Sequence, residues 1–181
     1  NHFTGAVFAI HMALTQSPDN ALQRTLQFNE SVCQRYPDKW GFVYNNAALA
    51  ARDLGVKASK DGDNQAAMAL WERSYKHYQS AVALSPEDAR IINDCGLMLI
   101  YYLHRDLDHA RELCERAIAV GSAQLAELPE DASERDRHLL EEAVGDAWQN
   151  IAVLLRERKQ APFGDYQRFC EEAVKFYPYQ R

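Results

Sequence analysis

No apolar run in these 181 residues approaches the length of a membrane span. The longest, Ala6 to Ile10 continuing through Met12 to Leu14, is about half of the ~20 residues that a spanning helix needs. It has no basic leader and no small-residue cleavage site, so it does not read as a signal peptide. Positive charge is also short. Lys and Arg number 20 against 26 Asp and Glu, a formal charge of −6, whereas nucleic acids and anionic membranes call for a basic surface. We therefore expect neither a nucleic-acid nor a membrane partner. Cysteine is sparse: Cys33, Cys95, Cys114 and Cys170 form no CxxC pair, and each sits inside an apolar helical pattern. They read as buried free thiols, which fits a reducing compartment and a cytoplasmic location. The six histidines offer no HxxxH pair, and no phosphate loop, nucleophile elbow or zinc motif is present. Asp61-Gly62-Asp63-Asn64 has acids at calcium-loop spacing but lacks the later ligands and the terminal Glu, so it reads as a turn. The expectation is no catalytic site, no metal and no cofactor. The chain begins with Asn1 and reads as an excised piece of something longer.

Alternation with period two is missing as well; long stretches of helical period stand between turn signals instead. Ser17-Pro18-Asp19 and Ser85-Pro86-Glu87 each offer a cap, a proline where a missing N–H does no harm, and a first-turn acid. Gly55, Gly62, Gly121 and Gly164 are placed at helix ends or in turns. The pattern predicts eight helices, near 5–15, 19–35, 40–54, 64–84, 87–103, 107–121, 137–158 and 164–177, with one long connection over 122–136. Short turns between long helices make neighbours antiparallel. Apolar residues at 47% and charged residues at 25% suit one domain with a buried interior, spanning 1–181.

Three helices align without gaps. Tyr44-Asn45-Asn46-Ala47-Ala48-Leu49, Ile92-Asn93-Asp94-Cys95-Gly96-Leu97 and Trp148-Gln149-Asn150-Ile151-Ala152-Val153 share a large apolar residue, two amides or acids, and then a small residue four positions after the first. The following helices align through Tyr78-x-x-Ala81, Cys114-x-x-Ala117 and Cys170-x-x-Ala173, with Pro86 and Pro178 closing the first and third. Ala48, Gly96 and Ala152 permit close helix approach, and Ala81, Ala117 and Ala173 do so from the facing helix. One helix pair cannot cover its own apolar face, so pairs must stack.

This order of residues resembles the tetratricopeptide repeat. Asp106-Leu107-Asp108-His109-Ala110 looks like the opening of that family's second helix, and Gly164-Asp165-Tyr166 like its Gly-Asp-Tyr turn. The likeness covers 40–178, and 5–37 less closely. The family's period is about 34 residues, whereas Ala81 to Ala117 is 36 and Ala117 to Ala173 is 56, which implies elongated helices and inserted loops. The resemblance implies an all-α, right-handed solenoid of about four antiparallel helix pairs. It also implies a non-catalytic scaffold that holds a protein or peptide segment in a concave groove. The alternative is a regulatory or substrate-recruiting domain of a larger enzyme.

In that family the groove is lined by one stripe of each first helix. Here the stripe is Asn45, Leu49, Arg52 and Asp53, then Asn93, Leu97, Ile100 and Tyr101, then Gln149, Val153, Arg156 and Glu157, with Asn46, Asp94 and Asn150 beside it as further candidate groove residues. Asn45, Asn93 and Gln149 are equivalent, as are Asn46, Asp94 and Asn150. A ladder of amides, each donor and acceptor, suits a peptide backbone whatever its side chains. Such amides could equally tie neighbouring helices together. The lysines of a carboxylate clamp are absent beside Arg52, Arg90 and Arg156. The acid-rich segment 123–146, with Glu142 and Asp146, could dock something basic or be a solvated loop and helix start. The C-terminal helix is apolar on more than one face, which suggests a homodimer through it or further repeats.

Overall fold

The computed structural model describes residues 20–158 and 163–176, and among these the chain is all-α, with no strand. The expected helix near 5–15 and the Ser17-Pro18-Asp19 cap lie outside the described residues. The helices are α1 (Ala21–Arg35), α2 (Gly41–Lys60), α3 (Asn64–Leu84), α4 (Ala89–Leu97), α5 (Leu107–Glu127), α6 (Glu134–Arg158) and α7 (Phe163–Lys175). Between α4 and α5 the chain continues as a π-helical segment, Met98–Leu103. The fold groups into two compact units, Asn1–Ser85 and Pro86–Arg181.

In the first unit α2 and α3 pack closely along their lengths. Gly41, at the start of α2, abuts Ser85, just past the end of α3, while Gly55, late in α2, abuts Trp71, early in α3. Midway, the Ser74 hydroxyl donates to the Ala48 carbonyl at 2.8 Å. Asp61-Gly62-Asp63 makes the turn, with Gly62 at φ +85° and the Asp63 carboxylate accepting the Ala66 N–H. This turn was expected. Gly55 corrects the reading: it is no helix end but sits inside α2, which runs on to Lys60. A Cβ there would lie 2.4 Å from the Trp71 indole nitrogen, so the residue's smallness is used for contact. Leu26, Ala47, Ala50 and Ala51 form one apolar cluster, and Val32, Cys33 and Val43 another, against which Tyr44 packs.

In the second unit α4 lies on α5 through Gly96, whose added Cβ would meet the Ala110 carbonyl at 3.1 Å and Cys114 Sγ at 3.2 Å. Gly121 is likewise inside α5, not at its end. A Cβ there would meet Val144 of α6 at 2.6 Å. The predicted cap at Ser85-Pro86-Glu87 also moves. Asp88 caps α4, its carboxylate accepting the Ile91 N–H at 3.1 Å, while Ser85 ends α3. The long loop expected over 122–136 shrinks to 128–133, because α5 and α6 each extend into it and the Ser133 hydroxyl accepts the Asp136 N–H. Trp148 of α6 meets Phe169 of α7 with ring centroids 5.4 Å apart. Gly164 falls in the first turn of α7. The small residues aligned by sequence are all buried: Ala48, Ala81, Ala117, Ala152 and Ala173. No helix among the described residues is long and apolar enough to cross a membrane.

Candidate functional site

Helical spacing puts Arg90, Asn93, Asp94 and Leu97 on one face of α4, and Glu142, Asp146, Gln149, Asn150 and Val153 on one face of α6. In the second unit these two faces adjoin. They enclose two open clefts that share Asp146. One, about 180 Å³, is polar and is lined by Arg90, Asn93, Asp94, Glu142, Ala143 and Asp146. The other, about 530 Å³, is lined by Leu97, Tyr101, Tyr102, Asp146, Gln149 and Asn150. Together they form a groove that is acidic at one end and aromatic at the other.

The floor between the helices is a buried amide pair. Asn150 Nδ2 donates to Asn93 Oδ1 at 2.9 Å, and both residues are at most 3% exposed. The Cys114 thiol approaches the same Asn93 oxygen at 4.0 Å. A solvent-facing ladder through Asn93 and Asn150 is therefore not what the structure contains: these two tie α4 to α6. The bond also crosses the rows, joining a member of the Asn45 row to one of the Asn46 row. Gln149, by contrast, is exposed beside Tyr101.

Tyr101 is 37% exposed, among the few large hydrophobic side chains so open to solvent. Partial burial raises its phenol pKa, with Cys114 adding; Arg156 opposes this, Asp146 adds, and a hydrogen bond with Gln149 lowers it again. Its neighbour Tyr102 escaped the sequence reading. In an α-helix, a residue five positions after Leu97 would point well away from it. The π-helical segment bonds i to i+5, which brings that residue back over its starting face. No sequence signal marked the change of period. Ile100, counted with the stripe, is instead 3% exposed and belongs to the core. Val153 is half-buried and Arg156 exposed.

In the first unit α2 carries Asn45, Asn46 and Leu49, all half-buried. Asn45 Oδ1 is buried and accepts no hydrogen bond among the described residues. Arg52 is half-buried, and its Nε pairs with Asp53 at 2.9 Å. Also in this unit, Glu30 of α1 accepts from Arg73 and His77 of α3, the latter at 2.7 Å. Among the described residues no group of three or more His, Cys, Asp or Glu could hold a metal ion. Cys33, Cys95 and Cys114 are buried, which pushes each thiol up to about 12. Such thiols stay protonated and are poor nucleophiles near neutral pH.

Comparison with known families and with curated proteins gives no match for this chain.

Proposed function

We propose that the chain is a non-catalytic interaction module of tetratricopeptide type, which holds an extended protein or peptide segment in the groove between α4 and α6. In this reading its helices form antiparallel pairs stacked as a right-handed solenoid of about four pairs. The start-to-end contacts of α2 with α3, and the small residues buried at each aligned position, support it. The observation that carries the function is the groove itself. An acidic cleft and an aromatic-lined one adjoin along two neighbouring helices, with Tyr101 and Gln149 presented to solvent. Aromatic side chains of this kind supply large contact area at small entropic cost. Asn45, Asn46, Leu49 and Arg52 are the equivalent positions on α2.

The experiment is a selection from a random nonapeptide library on the purified protein, followed by NMR titration of the selected peptides. Resonances of Leu97, Tyr101 and the Gln149 side-chain amide should move first, and Tyr101→Ala should weaken binding by the fraction of the protein that remains folded, measured on that fraction alone. Failure to select any peptide, or shifts confined to residues away from α4 and α6, would count against the groove.

A further inference from the structure

We infer that the α4–α6 groove selects a basic peptide, one that places a lysine or arginine about three residues from an aromatic or large aliphatic side chain. The inference rests on the peptide-groove reading and adds the chemistry of its occupant.

Charge gives the first half. The polar cleft gathers three carboxylates, Asp94, Glu142 and Asp146, against the single guanidinium of Arg90. Asp94 and Asp146 are half-buried, so their fields are less screened than those of fully exposed acids. Arg156, whose charge reaches the Tyr101 phenol, stands ten residues beyond Asp146 along α6. Carboxylates thus outnumber guanidiniums three to one among the residues that line the polar cleft, and the chain's overall charge of −6 has the same sign.

The aromatic end gives the second half. Leu97, Tyr101 and Tyr102 line the wider cleft, and the π-helical segment is what brings Tyr102 there beside Tyr101. An arginine or lysine stem lies well along such a surface while its head reaches a carboxylate. An apolar neighbour on the peptide would bury against the rings themselves.

Helix geometry sets the spacing. Asp94 and Tyr101 are seven residues apart, about 10 Å along the axis. An extended peptide advances about 3.3 Å per residue, so about three residues separate side chains seated at the two ends. Asp146 lines both clefts, so the two ends adjoin at that residue.

The test uses three synthetic nonapeptides in a neutral glycine–serine background. One carries arginine and, three positions on, phenylalanine; the second has glutamate for the arginine; the third has alanine for the phenylalanine. Binding is followed by fluorescence anisotropy and by NMR shifts at Tyr101 and Gln149. The arginine–phenylalanine peptide should bind about five- to tenfold more tightly than either of the others, as expected for one or two partly shielded ion pairs. Raising ionic strength from about 0.01 to about 0.15 M, which shortens screening from ~30 to ~8 Å, should shrink its advantage over the glutamate peptide. The double variant Asp94→Asn, Glu142→Gln should abolish that advantage while the shifts at Tyr101 persist. Glu142→Gln alone, at an exposed position, should reduce it by about half if the double variant folds poorly. Equal or tighter binding of the glutamate peptide, still moving Tyr101 and Gln149, overturns the basic-partner inference and leaves the groove standing. If no peptide, designed or library-selected, moves those resonances, the groove reading falls and the inference with it.

Discussion

The two amides at the centre of the groove, Asn150 and Gln149, are chain neighbours with opposite roles. Asn150 donates to an oxygen that has little other compensation, since the Cys114 thiol is a weak donor 4.0 Å away. Asn150→Ala should therefore lower stability by about 1–3 kcal/mol, the cost of stranding a buried acceptor. Gln149→Ala, on the exposed side, should change it by about 0.5 kcal/mol or less. Urea denaturation of the two variants checks this, and equal midpoints would show that the Asn93–Asn150 bond contributes nothing. The aligned sequences revealed that amides recur at these positions, but not which member of each pair turns inward. That choice depends on how α4 and α6 are rotated against each other, which a local pattern does not encode. The cysteines give a second residue-scale test. At pH 8 a thiol-specific reagent should label Cys170, which is half-buried, and leave Cys33, Cys95 and Cys114 unmodified until urea is added, because burial holds their thiols near 12. Rapid labelling of all four in the native protein would contradict their burial.

At the scale of elements, helix existence was legible and helix ends were less so. Apolar periodicity located every described helix, because it reports the buried face directly. Glycine misled, since Gly55 and Gly121 serve close packing inside helices where the pattern suggested ends. Gly96 was read correctly as a contact residue. A leucine there would have to displace the Ala110 carbonyl, Cys114 Sγ and the Leu113 Cβ, all within 3.3 Å of the added Cβ. Gly96→Leu should destabilise the protein by about 1–3 kcal/mol through overpacking, and an unchanged melting temperature would argue against the α4–α5 contact. The link between α1 and α3 is pH-sensitive. Burial alone would raise the Glu30 pKa, but hydrogen bonds from Arg73 and His77, with their charges, hold it below the ordinary carboxylate value. A folded pKa below the unfolded one means that Glu30 contributes stability fully above the unfolded value, about 4.3 for a glutamate. That contribution fades as pH falls through the lower folded value. Glu30→Gln should accordingly be less stable than the parent at pH 7, and the gap should narrow in acid denaturation series below about pH 4.

For the whole molecule, the sequence disclosed the all-α class, because it follows from composition and period. Two things were hidden: the π-helical shift that brings Tyr102 into the groove, and the juxtaposition of Asp94 with Glu142 and Asp146, acids far apart in the chain. The first depends on a local change of hydrogen-bond register, the second on tertiary contact, and neither leaves a periodic trace. What holds the molecule together is visible at every level as apolar burial, small-residue contacts and side-chain caps such as Asp63 and Asp88. None of these needs an ion. A structural metal would have to be supplied by several deprotonated ligands converging on one point. Burial holds the thiols of Cys33, Cys95 and Cys114 near 12, and no described cluster of cysteines, acids and histidines has a ligating arrangement. Exhaustive treatment with a chelator should therefore leave both the helical circular dichroism and the melting temperature where they were. A loss of helix on chelation, restored by adding back a divalent ion, would mean that ligands outside the described residues complete a site on which folding depends.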